Sequence, residues 1–169
     1  MPQFTHLHVH THYSILDGMS KVGDLIDKCK RTGMNAIAIT DHGNMFGIKE
    51  LVDTSAKVNG KVKDAIKGLQ KELKKAEEEN NTDAIEELKS QIKAKEKEFF
   101  KPIIGCEAYC ARRSLRNKNK DNKTINPENG KEQIVDASGY HLVLLAKNQK
   151  GYENLCKIIS IAWVDGYYR

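Results

Sequence analysis

The sequence predicts an α/β fold, a parallel sheet or barrel with helices packed against it, and three observations predict it. Short apolar runs alternate with stretches of helical spacing, the order expected of β-α-β connections. One of those runs, MNAIAIT at residues 34–40, is continuous rather than alternating, as in a strand covered on both faces. Residues able to do chemistry gather where the runs end, which is where parallel barrels place their sites.

Taken in order, residues 4–9 read as the first strand. Val22, Leu25, Ile26 and Cys29 follow at helical spacing, and Gly33 stands where a left-handed C-cap belongs. Residues 34–40 form the second strand and run into Asp41-His42-Gly43. Ile48, Leu51, Val52 and Ser55 suggest a second helix. Residues 102–109 (PIIGCEAY) and 140–146 (YHLVLLA) are two further strands, and Tyr152, Leu155, Cys156, Ile159 and Trp163 line one side of a last helix.

Two segments interrupt this alternation. Residues 57–99 are rich in Lys and Glu, with Ile66, Leu69, Leu73 and Ala76, then Ile85, Leu88, Ile92 and Phe99, in 3–4 spacing on either side of Asn80-Asn81-Thr82-Asp83. They predict an inserted antiparallel helical hairpin whose second helix opens with Asp83 and Glu86 as a capping box and whose charges form a solvated face. Residues 112–138 keep no sustained period and read as a long basic loop.

With 169 residues, 39% of them hydrophobic, the chain is long enough for one domain with a core. No apolar run approaches the roughly 20 residues of a membrane span. The opening MPQFTHLH lacks the basic and apolar regions of a signal peptide, so a cytoplasmic protein without membrane contact is expected. Cys29, Cys106, Cys110 and Cys156 include no Cys-x-x-Cys pair and read as free, mostly buried thiols rather than a disulfide or a zinc knuckle. The net charge of +5 sits in one place: Arg112, Arg113, Arg116, Lys118, Lys120, Lys123 and Lys131 face only Asp121 and Glu128 in that stretch. Arg112, Arg113, Arg116, Lys118 and Lys120 are candidates for contact with nucleic-acid phosphates, solubility being the plainer role. No aromatic residue interleaves with them, so a base-stacking platform is not predicted.

The strongest chemical feature is the alternation of His6, His8, His10 and His12 in FTHLHVHTHYS. A strand would project all four imidazoles from one face, and burying unpaired imidazoles is costly. Neutral imidazole is the commonest protein ligand for zinc and related metals. Further candidate ligands fall at strand ends or close by: Asp17 after the first strand, His42 after the second, Glu107 in the third and His141 in the fourth. Oxygen and nitrogen donors in this mixture suit zinc, manganese or iron, and a shared carboxylate can hold two ions close together and activate water for attack on phosphorus or carbonyl centres. Asp41 either caps the next helix or orients a ligand imidazole from behind, roles that are compatible. His6 and His12 are expected to support the site or the fold.

These same residues resemble a known family. LHVHTHYS, AIAITDHGNMFG, KPIIGCEAY and YHLVLLAKNQKGYENLCKIIS resemble the polymerase and histidinol phosphatase (PHP) family, in the branch that opens the alpha subunits of bacterial replicative DNA polymerases. The likeness covers nearly all of residues 1–169 except the hairpin and the basic loop. It implies a partial, distorted (βα)7-type PHP barrel with a multinuclear site at its strand ends. His8, His10, Asp17, His42, Glu107 and His141 would correspond to its metal ligands. The family's later ligands have no counterpart within 169 residues, so a PHP domain fragment is implied. The resemblance further implies that the longer protein extends DNA primers with deoxynucleoside triphosphates, using magnesium at a polymerase site outside this chain. Sliding clamp and proofreading exonuclease subunits would be its partners.

Three functions follow as expectations. The first is a metal-dependent phosphoesterase or 3′-5′ exonuclease module of a replicative polymerase. The second is a catalytically silent scaffold for the polymerase core and a proofreading subunit. The third, a free-standing small-molecule phosphatase, is disfavoured by the polymerase-like segments. No individual catalytic residue is assigned.

Overall fold

The computed structural model describes residues 4–111, 114, 123–134 and 140–166. The elements run α1 (Val22–Arg31), β1 (Ala36–Ile39), α2 (Gly47–Glu78), α3 (Thr82–Glu96), β2 (Lys101–Cys110), β3 (Lys123–Ile125), β4 (Glu132–Ile134), β5 (Tyr140–Leu145) and α4 (Gln149–Val164). The architecture is mixed α/β, with a three-stranded sheet in the order β1–β2–β5 and a separate β3–β4 ribbon. The chain divides into two compact units, the first made of Met1–Leu7, Ser20–Ala38 and Gly47–Ile103, the second of His8–Met19, Ile39–Phe46 and Ile104–Arg169.

In the first unit, α1 buries Val22, Ile26 and Cys29, the spacing that identified it in the sequence. It ends in a Schellman motif: Gly33 at φ 77° donates to the Lys30 carbonyl, and the Met34 amide reaches back to the Cys29 carbonyl at 2.8 Å. The second helix does not stop before residue 57. It is one 32-residue helix that passes through Lys57 and supplies the first arm of the hairpin. Asn59, mid-helix, earns its place by clamping the exit of the hairpin, its side chain accepting from the Phe100 amide at 2.8 Å and donating to the Phe100 carbonyl at 2.9 Å.

Helices α2 and α3 pack together, but their seam is only half-covered. Val62, Ile66 and Ala76 are buried on α2, whereas no residue of α3 is. Two helices alone cannot enclose the residues between them. The cap of α3 also differs from expectation: Asn81, not Asp83, is the N-cap, its side chain accepting from the Ala84 amide at 3.2 Å, and Asp83 lies within the first turn.

In the second unit, β2 and β5 pair antiparallel, with Gly105 opposite Leu145 and Tyr109 opposite His141. This corrects the all-parallel expectation. No helix is described between β2 and β5; the intervening chain carries the β3–β4 ribbon, and without a crossover helix the chain returns antiparallel. That ribbon also corrects the reading of residues 112–138 as wholly irregular. Its turn is set by Asn126, whose side chain accepts from the Glu128 amide at 2.8 Å, and by Gly130 at φ 67°.

Residues 4–9 run alongside β1 but form no regular strand. His6 O accepts from the Ala38 amide and Val9 O from the Thr40 amide, so three steps on one side match two on the other. The extra residue is absorbed because Thr40 Oγ1 takes the Val9 amide at 3.0 Å, as in a bulge. Of the four alternating histidines, His6 and His12 make ring contacts with Phe4 and Tyr13, whereas His8 and His10 meet Glu107.

Candidate metal centre

All six predicted ligands lie in the second unit, and the structure brings them together. Glu107 is the hub. It sits in β2 with its side chain 3% exposed, and its Oε2 lies 2.8 Å from His8 Nε2 and 2.5 Å from His10 Nε2. His42 Nδ1 approaches the same oxygen at 3.5 Å, while His141 Nδ1 meets Oε1 at 2.5 Å. On the outer side of His42, Nε2 lies 3.3 Å from the Asp17 carboxylate.

Local sequence explains these placements. The chain turns sharply after His10, with the Ser14 amide on the Thr11 carbonyl and the Gly18 amide on the Ser14 carbonyl. Gly18 is required there, because a Cβ would stand 2.2 Å from the Thr11 carbonyl oxygen. The turn brings Asp17 back toward His42 and sends His12 against Tyr13, 4.2 Å between ring centroids. His6 packs on Phe4 in the first unit, at 4.8 Å. The bulge and this turn together leave His8 and His10 as the pair that faces Glu107. His141 arrives from β5, directly opposite Tyr109 and diagonal to Glu107.

Asp41 is buried, and its partners are those of a loop organiser rather than a helix cap. Its Oδ1 accepts from the Thr11 amide at 2.6 Å and from Ser14 Oγ at 2.7 Å, and Oδ2 accepts from Thr11 Oγ1 at 2.9 Å. Ser14 Oγ in turn accepts from the His42 amide at 3.1 Å. The carboxylate therefore acts on His42 through Ser14 and the backbone, not by touching its ring. Arg112, Arg113, Arg116, Lys118 and Lys120 lie outside the described residues.

The carboxylate at the hub stays ionised. Burial pushes the Glu107 carboxyl up, but the hydrogen bonds to His8 and His10 and the charge of His42 outweigh it and hold the group at about 2. Burial and the nearby Asp17 and Glu107 carboxylates raise the Tyr109 phenol above its usual range. The donor chemistry fits a divalent metal. His8 Nε2 and His10 Nε2 lie 3.1 Å apart and both stand beside Glu107 Oε2, so two imidazole nitrogens and a carboxylate oxygen converge. Two overlapping trios, His8 with His10 and Glu107, and His42 with Glu107 and His141, are each suited to hold an ion, with Glu107 shared between them.

Sequence reasoning missed Tyr109, Thr11, Ser14 and Trp163. Tyr109 was findable, since it stands two residues after Glu107 and so shares its face of β2. Its hydroxyl lies 3.1 Å from His42 Nδ1. Thr11, Ser14 and Trp163 make contacts that only folding reveals.

A buried carboxylate shared among convergent imidazoles defines a class, and the comparison with known families agrees: residues 6–169 match the PHP domain, and the chain belongs to that family. Among characterised relatives, it is 38% identical over 98% of its length to the DNA polymerase III subunit alpha of Borreliella burgdorferi. It is 35% identical to that of Helicobacter pylori and 32% to that of Aquifex aeolicus, again over 98% of its length. It spans about a tenth of the length of those relatives. No helix among the described residues is long and apolar enough to cross a membrane.

Proposed function

We propose that this chain is the metal-binding PHP region of a bacterial replicative polymerase alpha subunit. We further propose that His8, His10, Asp17, His42, Glu107 and His141 hold its divalent ions, zinc, manganese or iron. The observation that carries the proposal is Glu107: a buried carboxylate reached by four imidazoles is costly as a purely structural device and natural as a shared metal ligand. When bound, such ions supply Lewis-acid activation of water and neutralise charge on phosphate oxygens.

The residues of the chain divide the labour accordingly. His8 and His10 would hold one ion with Glu107, and His42 and His141 would hold a second with the same carboxylate. Asp41, through Thr11 and Ser14, keeps the two histidine-bearing loops in register. The activity best matched to this donor set is phosphoester hydrolysis, in the setting of a polymerase a 3′-5′ exonuclease on DNA. The longer protein would take DNA and deoxynucleoside triphosphates as substrates, use magnesium at its own polymerase site, and work with sliding clamp and proofreading subunits.

The test is metal content of the purified chain by mass spectrometry, beside His8→Ala/His10→Ala. Near-stoichiometric metal that falls in the double variant is expected; unchanged occupancy refutes the assignment. Release of nucleotides from single-stranded DNA by the metal-loaded chain supports the nuclease. Bound metal without any turnover favours the scaffold, in which the ions contribute stability alone.

A further inference from the structure

We propose that one face of α2 binds the sugar–phosphate backbone of duplex DNA, independently of the metal centre. The middle of that face is Lys63, Lys67, Lys71 and Lys74, and Lys57, Lys61 and Lys75 extend it. At about 100° of turn per residue, the first four fall within about 80° of one another and all seven within about 160°. The buried Val62, Ile66 and Ala76 lie on the opposite side of the helix. All seven lysines are exposed, and no carboxylate among the described residues pairs with any of them. Within the same arc, between Lys57 and Lys75, Asp64 is the one acidic residue. The stripe is about 27 Å long at about 1.5 Å per residue. Net charge conceals it, because acidic residues elsewhere in the chain offset these lysines.

Solubility alone does not call for such a face. A helix that only has to stay in solution mixes both signs, and α3, the other arm of the hairpin, does so: Asp83, Glu86, Glu87 and Glu96 stand among Lys89, Lys93 and Lys95. On α2, Lys63, Lys67 and Lys71 follow at i, i+4 spacing, where like charges destabilise a helix. Gly60 and Gly68 fall on the same face, and glycine inside a helix is costly relative to alanine. A Cβ on either would meet nothing within 4 Å, so no packing within the chain requires them. They leave gaps between the lysines through which a phosphate backbone can approach the helix closely. Duplex DNA carries one charge per about 1.7 Å of axis, and lysines that neutralise its phosphates release counterions. The helix has no aromatic residue on which unpaired bases could stack and no arginine to read base edges, and the Asn59 side chain is taken up by Phe100. Backbone contact without sequence readout is what remains. An anionic membrane would need an apolar side free to insert beside the charges, and the apolar side of α2 is already buried within the chain.

The experiment measures binding of a fluorescently labelled, mixed-sequence DNA duplex by anisotropy over a series of salt concentrations. The original chain is compared with Lys63→Gln/Lys67→Gln/Lys71→Gln/Lys74→Gln and with Lys28→Gln/Lys30→Gln/Lys89→Gln/Lys93→Gln. The second variant removes the same charge from exposed positions on α1 and α3. Circular dichroism should be the same for all three chains, since every position changed is exposed. The stripe variant should flatten the plot of log K against log salt by about 3.6, at about 0.9 for each of four contacts, and the control by less than about 1. Equal flattening in the two variants would make the effect one of net charge and overturn the proposal. So would a slope unchanged in the stripe variant, or an original chain that binds no duplex at low salt. Phosphatidylserine vesicles are run beside the duplex. A stripe variant that loses the vesicles and keeps the DNA also overturns the proposal and gives the face to a lipid surface.

Discussion

Trp163 Nε1 donates a 2.7 Å hydrogen bond to the carbonyl of Gly43, so the last turn of α4 is fastened to the residue after a candidate metal ligand. Trp163→Phe retains most of the ring and loses the donor. One such bond is worth about 1 kcal/mol, and for a domain of this size that corresponds to a fall in Tm of roughly 2–4 °C. Thermal melting of the variant checks it, and an unchanged Tm would mean water replaces the indole without cost.

Asp41 anchors more. Removing its carboxylate strands the buried Thr11 amide and the Thr11 and Ser14 hydroxyls. Asp41→Ala should cost on the order of 3 kcal/mol in urea unfolding, and Asp41→Asn, which keeps an acceptor, distinctly less. Metal content should fall with Asp41→Ala, because His8, His10 and His42 lose their common frame.

Two glycines give opposite outcomes. A Cβ at Gly105 would come within 2.8 Å of the Leu144 carbonyl oxygen and Thr40 Cγ2, while at Gly68, in α2, it would meet nothing within 4 Å. Gly105→Ala should therefore destabilise the chain by at least 1–3 kcal/mol, the usual range for overpacking. Gly68→Ala should stabilise it by about 0.5–1 kcal/mol through helix propensity. Chemical denaturation of the pair decides both.

Glu107 sets an acid dependence in the metal-free chain. Its folded value of about 2 lies below the ordinary 4.5, so the unfolded chain binds the proton first as pH falls. The stability it contributes is complete above about pH 4.5 and is lost between there and pH 2. Glu107→Gln should lack this segment of the pH–stability curve, the two curves drawing together toward pH 2. Urea titrations across that range in the presence of chelator test it.

The basic stretch is open to a salt test. If Arg112, Arg113 and Arg116 neutralise phosphates, replacing them with Gln should flatten the plot of log K against log salt for single-stranded DNA by about 2, at roughly 0.7 per contact. An unchanged slope makes the stretch a solubilising surface.

Much of the site was readable beforehand because its donors are rare residue types at informative spacings. His8-x-His10, Asp17, the Asp41-His42-Gly43 strand end and an otherwise expensive Glu107 each raised the question of a partner before any fold was known. Helix α1 was readable for a local reason, since its apolar spacing and the left-handed Gly33 operate within one segment. Asn81 was overlooked in favour of Asp83 because several cap-forming residues adjoin one another and only the backbone chooses among them.

The sequence by itself determined the family, the helical and strand segments in outline, and the identities of the six candidate ligands, all of which follow from residue type and short-range spacing. Tertiary structure decided which of the alternating histidines face Glu107, because a one-residue bulge against Thr40 and the turn after His10 reorient the segment. It decided the antiparallel return of β5, which places Tyr109 opposite His141, and the pairing of Asp41 with Thr11 and Ser14 across some 30 residues of chain. Such relations depend on register and on hydrogen-bond partners distant in sequence, and no local spacing records them.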